Sequence, residues 1–286
     1  MAVYKRNYKT YEGQRSPGWS RFTIPMRYGY RRIFESKFFV TYLVSCLFFP
    51  LGCLAFIYIS HNLSFLESLN IPASGIIAVN NNFFNFYCRF QGVLAYLMTA
   101  FIGPNLVAPD LANNALPLYF CRPFGRLEYS ASKVGVLFML LSFVTWIPGL
   151  ILFGVNASLS GWDWTKENWW LGWGVGVGLL LWDLLLCIIA VAMSAWVKWR
   201  IAAGGLLLAI YFAGAGFGAL INSILRTQKG SVLDIGAVIR TIWLKIFRLP
   251  IDTGMEPATA WMVLAVISAA CCILLWRRIR AFEVVK

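Results

Sequence analysis

Six stretches of this chain run for about twenty residues with almost no charge, and nothing else constrains its fold as strongly. Backbone N–H and C=O groups in hydrocarbon find no water, so such a stretch crosses a bilayer as a helix of about 20 residues. The predicted spans are residues 38–60, 83–108, 134–155, 169–197, 201–225 and 258–276. The first is uncharged from Phe38 to Ser60; the second carries Arg89 and Gln91 near its start, and the fourth carries Asp183 near its middle. Charged residues are 13% of the chain, against about 25% in soluble domains, so a water-soluble core of this size is excluded. The expected fold is an all-α membrane protein with six transmembrane helices.

The basic residues then set the orientation. Nine Lys and Arg precede the first span: Lys5, Arg6, Lys9, Arg15, Arg21, Arg27, Arg31, Arg32 and Lys37. Arg122, Arg126 and Lys133 follow the second span, Lys198 and Arg200 the fourth, and Arg277, Arg278, Arg280 and Lys286 the last. The positive-inside rule places all of these, and both termini, in the cytoplasm. The long polar start before the first span is unlike a cleavable signal, which opens with a short charged region. The location expected is the bacterial inner membrane, multi-pass, with a cytoplasmic arm at 1–37 and a six-helix transmembrane domain at 38–286. A net charge of +13 does not imply nucleic acid here. The basic residues sit beside apolar runs, where anionic lipid attracts them, and form no solvated basic face.

Two further segments read as surface helices. Arg27, Arg31, Arg32 and Lys37 alternate with Met26, Tyr30, Ile33 and Phe34, which predicts an amphipathic interfacial helix along the cytoplasmic leaflet. Between the fifth and sixth spans, Ile235, Val238, Ile239, Ile242 and Ile246 recur at helical spacing among Asp234, Arg240, Lys245 and Arg248. Those charges exclude a seventh span, so an amphipathic helix at the outer surface is expected.

Chemistry is sparse. No GxxxxGK[ST] tract is present, so this chain has no usual cradle for ATP phosphates. The one histidine, His61, cannot supply a multi-His metal site or support a hydrolase triad with no GxSxG elbow. The seven cysteines form no CxxC pair and lie mostly in apolar stretches, where a free thiol is a small hydrophobe. Asn62 and Asn156 begin glycosylation sequons that matter only in a eukaryotic secretory pathway. Gly172, Gly174, Gly176 and Gly178, like Gly214 and Gly218, have the spacing of close helix packing. Asp183, Arg89 and Gln91 are open to two readings, a translocation path or helix packing.

The informative tract is GPNLVAPDLANNALPLYFCRPFGRLEYSASK, residues 103–133. Asp110 is a plausible N-cap for a short helix over 111–119 that ends before Arg122-Pro123, and a new helix start follows at Arg126. A short surface helix joined rigidly to two spans is what a soluble motor needs in order to move a bundle.

This tract resembles the ABC-2 family of ABC transporter permeases. The matching positions are Asp110, Ala115, Leu116, Leu118, Arg122, Pro123, Arg126, Glu128, Tyr129 and Lys133. Six spans, a basic arm before the first and a long outer loop before the last extend the likeness; Ala112-Asn113-Asn114 departs from it where many relatives are charged. The resemblance implies a coupling helix at about 109–120, two ABC ATPase subunits that carry the ATP and Mg, and a second permease chain. In it, Asp110, Leu116, Leu118, Arg122, Pro123, Arg126 and Glu128 would form the ATPase-coupling interface of an exporter, with no catalytic residue and no cofactor on this chain. The competing readings are an ion-coupled carrier or channel built on Asp183 and Arg89, and a membrane enzyme or scaffold.

Overall fold

The computed structural model describes residues 21–62, 79–121, 125–197 and 199–279, and every regular element in them is helical. In chain order these are α1 (Thr23–Phe34), α2 (Lys37–His61), α3 (Asn81–Ile102), α4 (Pro104–Ala112), α5 (Leu116–Phe120), α6 (Arg126–Val144) and α7 (Trp146–Ser160). They continue with α8 (Trp162–Trp196), α9 (Arg200–Leu225), a 3-10 turn (Lys229–Leu233), α10 (Ile235–Ile246) and α11 (Pro257–Arg278). Among the described residues, six helical stretches are long and apolar enough to cross a membrane: Lys37–His61, Asn81–Ala112, Arg126–Ser160, Trp162–Trp196, Ile201–Leu225 and Pro257–Arg278. The protein is therefore a multi-pass membrane protein, and each predicted span falls on one of these six.

The second and third spans are longer than predicted and each is broken once, for an identifiable reason. Proline has no N–H and its ring collides with the carbonyl four residues back. Pro104 stands just past the break between α3 and α4, and Pro148 just past Thr145, where α6 gives way to α7. Pro148 orphans the Val144 carbonyl, and Pro50 inside α2 orphans that of Cys46. One side chain serves both. The Gln91 amide nitrogen on α3 donates to Val144 O at 2.7 Å and to Cys46 O at 3.2 Å, fully buried. Tyr87 donates to the Thr145 carbonyl at 2.8 Å. Backbone groups released inside the membrane are thus met by neighbouring helices, as a medium without water requires.

The axis of the bundle is α8, which packs against α3, α4, α6, α7 and α11. Its glycines face two ways. A Cβ on Gly172 would meet the Phe153 ring at 2.7 Å, whereas one on Gly174 would meet Ile246 at 2.8 Å and one on Gly178 would meet Trp243 at 3.0 Å. The last two contacts seat α10. That helix does not lie on the outer surface as expected. Ile235, Val238, Ile239, Thr241, Ile242, Trp243 and Leu244 are all buried in the bundle, and Trp243 donates to the Gly178 carbonyl at 2.9 Å. The chain reaches this depth by running back along α9, where Gly218 and Gly214 make room for the carbonyls of Gly230 and Leu233. At about 18 Å long α10 is too short to cross, so the sequence argument against a seventh span holds while the surface position does not. Its charges are handled individually: Arg240 pairs with Asp252, and the Arg248 guanidinium lies 4.5 Å from the centre of the Trp170 ring.

The two ends of the bundle are distinct. At one, His61 meets the Ser160 hydroxyl at 3.0 Å and Asn81 donates to Phe247 O at 3.1 Å. At the other, Arg278 donates to Ala195 O at 3.3 Å, close to Ser194 and α4, so α1 and the end of α11 share that end.

Candidate functional site

The end that carries α1 also holds a compact polar cluster, built where the second span turns over. Pro104 restarts the helix, and the first N–H groups of α4 lack a full set of intrahelical acceptors. Ser194 on α8 takes them. Its hydroxyl oxygen accepts from Val107 N at 3.1 Å and Ala108 N at 2.9 Å, which fixes α4 to the bundle axis. Gly103 permits the approach, since a Cβ there would lie 2.8 Å from that of Ala190.

Asp110 is not the N-cap of a following helix. It lies in the last turn of α4, and the single helix expected over 111–119 is absent. Asn113 ends α4, Asn114 adopts a left-handed φ of 50°, and only the five residues of α5 follow. Asparagine tolerates that conformation, so the Asn113-Asn114 pair is a turn by its own chemistry.

Within this corner, Asp110 Oδ2 accepts the Tyr129 hydroxyl at 2.8 Å and the Lys133 ammonium at 2.7 Å. The Asp110 and Lys133 side chains are only 15% and 14% exposed. Tyr129 is fully buried and stacks edgewise with Tyr119 and Phe120 of α5, their ring centres 5.3 and 6.2 Å away. Lys133 sits 5.3 Å above the Tyr129 ring, a cation–π contact that adds to the ion pair. Burial first, and then the adjacent Asp110 charge, push the Tyr119 phenol above its usual pKa. The carboxylate thereby ties α4 to α6, and the Tyr129 ring ties α6 to α5.

The other positions of the motif divide by exposure. Leu116, the first residue of α5, is buried, while Leu118 projects outward at 71% exposure, as does Leu127, which is not a motif position, at 68%. Arg126 is exposed at the first residue of α6. Glu128 accepts the Gly125 N–H at 2.8 Å and so caps α6. Arg122 and Pro123 lie outside the described residues. α1 braces the same corner: Tyr30 donates to Gly135 O at 3.2 Å, and Gly29 and Gly135 allow close contact with Val136 and Met26. A cavity of about 580 Å³ separates α1 from the corner and is lined by Tyr28, Arg32, Asn105, Asp110, Tyr119 and Lys133.

The remaining three candidates lie elsewhere in the bundle and do not come together with this cluster. Asp183 is fully buried on α8, and its Oδ2 accepts the Thr145 hydroxyl at 2.6 Å at the α6–α7 break. Gln91 serves the two proline-orphaned carbonyls. Arg89, by contrast, is exposed and lines a separate cavity. Sequence reasoning missed Ser194 and Thr145, isolated hydroxyl residues in apolar runs whose one signal is a proline in the helix they serve. Among the described residues, no three His, Cys, Asp or Glu side chains come together as a metal site. No protein-family model matches the chain, and no curated protein is a significant match.

Proposed function

We propose that this chain is the transmembrane permease subunit of an ATP-binding cassette exporter of the ABC-2 type, driven by ATP hydrolysis on separate nucleotide-binding subunits. The observation that carries the reading is the corner at residues 104–133. Leu118, between the second and third spans, and Leu127, in the first turn of the third, present an apolar surface, and the Asp110–Tyr129–Lys133 cluster fastens that surface to the second and third spans together. Force applied to α5 reaches the third span through the contacts of Tyr119 and Phe120 with Tyr129, and the second span through the Tyr129–Asp110 hydrogen bond. Ser194 passes it to α8. Large exposed apolar side chains rimmed by polar residues are the surface a partner protein covers.

In this reading the corner is cytoplasmic, α1 lies along the inner leaflet, and two ATPase subunits dock on the corners of two permease chains. ATP and Mg belong to those subunits. The outward faces of α2, α9 and α11 are apolar and mostly exposed, which fits lipid on some of that surface and a second permease chain on the rest.

The chain affinity-purified from its native membranes is expected to bring down a soluble polypeptide that hydrolyses ATP. Asp110→Asn, which keeps the shape but removes the charge that holds Lys133, should retain that partner and lower its hydrolysis rate about tenfold, a coupling of about 1.4 kcal/mol. A preparation with no ATPase, whose transport persists in ATP-free vesicles under an ion gradient, would replace this reading with an ion-coupled carrier. The burial of Asp183 within the described chain favours the permease reading over one in which that carboxylate meets passing ions.

A further inference from the structure

The buried position of α10 creates a second cavity, of about 440 Å³, that coupling does not use. It opens between α3, α9 and α10. Arg89 and Arg240 line it, together with Asp234, Tyr211, Trp182 and Trp243. Arg89 lies about 12 Å along α3 from its first residue, well inside the span. A charge at that depth needs a partner, a wet cavity or a route to the headgroups. No carboxylate lies within ion-pair distance of Arg89 among the described residues, since the pairs there are Arg31–Glu35, Lys133–Asp110 and Arg240–Asp252. Arg240 is bonded through one terminal nitrogen to Asp252, but its Nε is buried without an acceptor. The carboxylate in the wall among the described residues, Asp234, already caps α10 by accepting Gly236 N at 2.8 Å.

The aromatic walls are equally specific. The indole N–H of Trp182 is consumed by Gly92 O and that of Trp243 by Gly178 O, both at 2.9 Å, so these residues offer ring faces alone. At the mouth stand Phe86, Phe90 and Val93, exposed at 56%, 43% and 49% on the membrane-facing side of α3. Unused guanidinium donors inside and an apolar lip outside describe one kind of guest.

The geometry points to a site for the anionic head of a membrane amphiphile, held between Arg89 and Arg240, with its hydrocarbon chain lying along Phe86, Phe90 and Val93. A phosphate or carboxylate oxygen there takes the guanidinium N–H groups that lack acceptors, in charge-assisted bonds. A zwitterionic head brings a cation that Arg89 repels. This site needs only the membrane reading of the chain, and its test involves no ATPase, so its failure is separate from failure of the coupling proposal.

The test uses the full chain in neutral detergent, offered equal amounts of phosphatidylglycerol and phosphatidylcholine, with bound lipid counted by native mass spectrometry. Phosphatidylglycerol should be retained about tenfold more, the ratio that one charge-assisted bond supplies. Arg89→Gln and Arg240→Gln should each remove most of that preference, Arg89→Lys should keep part of it, and Lys166→Gln, an exposed change near the start of α8 and outside the cavity lining, should leave it unchanged. Val93→Trp fills the mouth without touching a charge and should also lower retention, which guards against a misfolded arginine variant. Equal retention of the two lipids, or a preference untouched by Arg89→Gln and Val93→Trp, would overturn the site. Full displacement of the lipid by inorganic phosphate at the same concentration would make it a site for free anions and overturn the amphiphile.

Discussion

Gln91→Leu is expected to destabilise the bundle by about 2–4 kcal/mol, because it strands two buried carbonyls with one change. Interhelical hydrogen bonds in membranes average only about 0.6 kcal/mol, since groups that lose one partner usually find another. Cys46 O and Val144 O have no such alternative. Their intrahelical donors would be the N–H groups of residues 50 and 148, and both positions are proline. The distinguishing measurement is rescue. Thermal unfolding of the detergent-solubilised chain should show Gln91→Leu melting well below the wild type, and adding Pro50→Ala and Pro148→Ala should recover much of the loss. If the triple variant melts no higher than Gln91→Leu alone, Gln91 does not act through those carbonyls.

Asp110→Ala should cost nearly as much, by a different route. It leaves the Lys133 ammonium and the largely buried Tyr129 hydroxyl without their shared acceptor. Removing one member of a buried pair costs about 3–5 kcal/mol, and the residual solvent contact of these two side chains puts the expectation near the low end, at about 3 kcal/mol. The double change Asp110→Leu with Lys133→Met removes both charges and should restore most of the stability, as apolar replacements of buried pairs do. It should not restore ATPase stimulation if the corner must stay tied to both spans. A double variant that is stable and fully coupled would show that the cluster only fills space.

Much of this architecture is legible in the sequence because hydropathy is a bulk property. Six apolar runs survive any uncertainty about single residues, so the spans fall where expected. The burial of α10 was not legible, because Arg240, Lys245 and Arg248 read as a surface face. The partners of Arg240 and Arg248 are remote in the chain, Asp252 twelve residues on and Trp170 on another helix, while Lys245 stays exposed. What marks the insertion is glycine, at Gly174 and Gly178 on α8 and at Gly214 and Gly218 on α9, yet spacing alone does not say which element fills each groove. The helix start placed at Asp110 failed for a local reason. Pro104 had already begun the helix, and Asn113-Asn114 ended it where a continuous helix was expected. Of the proposed interface, Asp110 and Glu128 proved to be internal fasteners. Among its described residues, Leu118 and Arg126 face outward.

Leu118 therefore supports the most direct measurement. With a photo-crosslinking amino acid at position 118 in the native organism, irradiation of intact cells should join the chain to a polypeptide that binds and hydrolyses ATP, and the yield should change when ATP is depleted. Crosslinks confined to lipid, or to proteins exposed outside the cytoplasm, would contradict the claim that an ATPase drives this bundle through its α4–α5 corner.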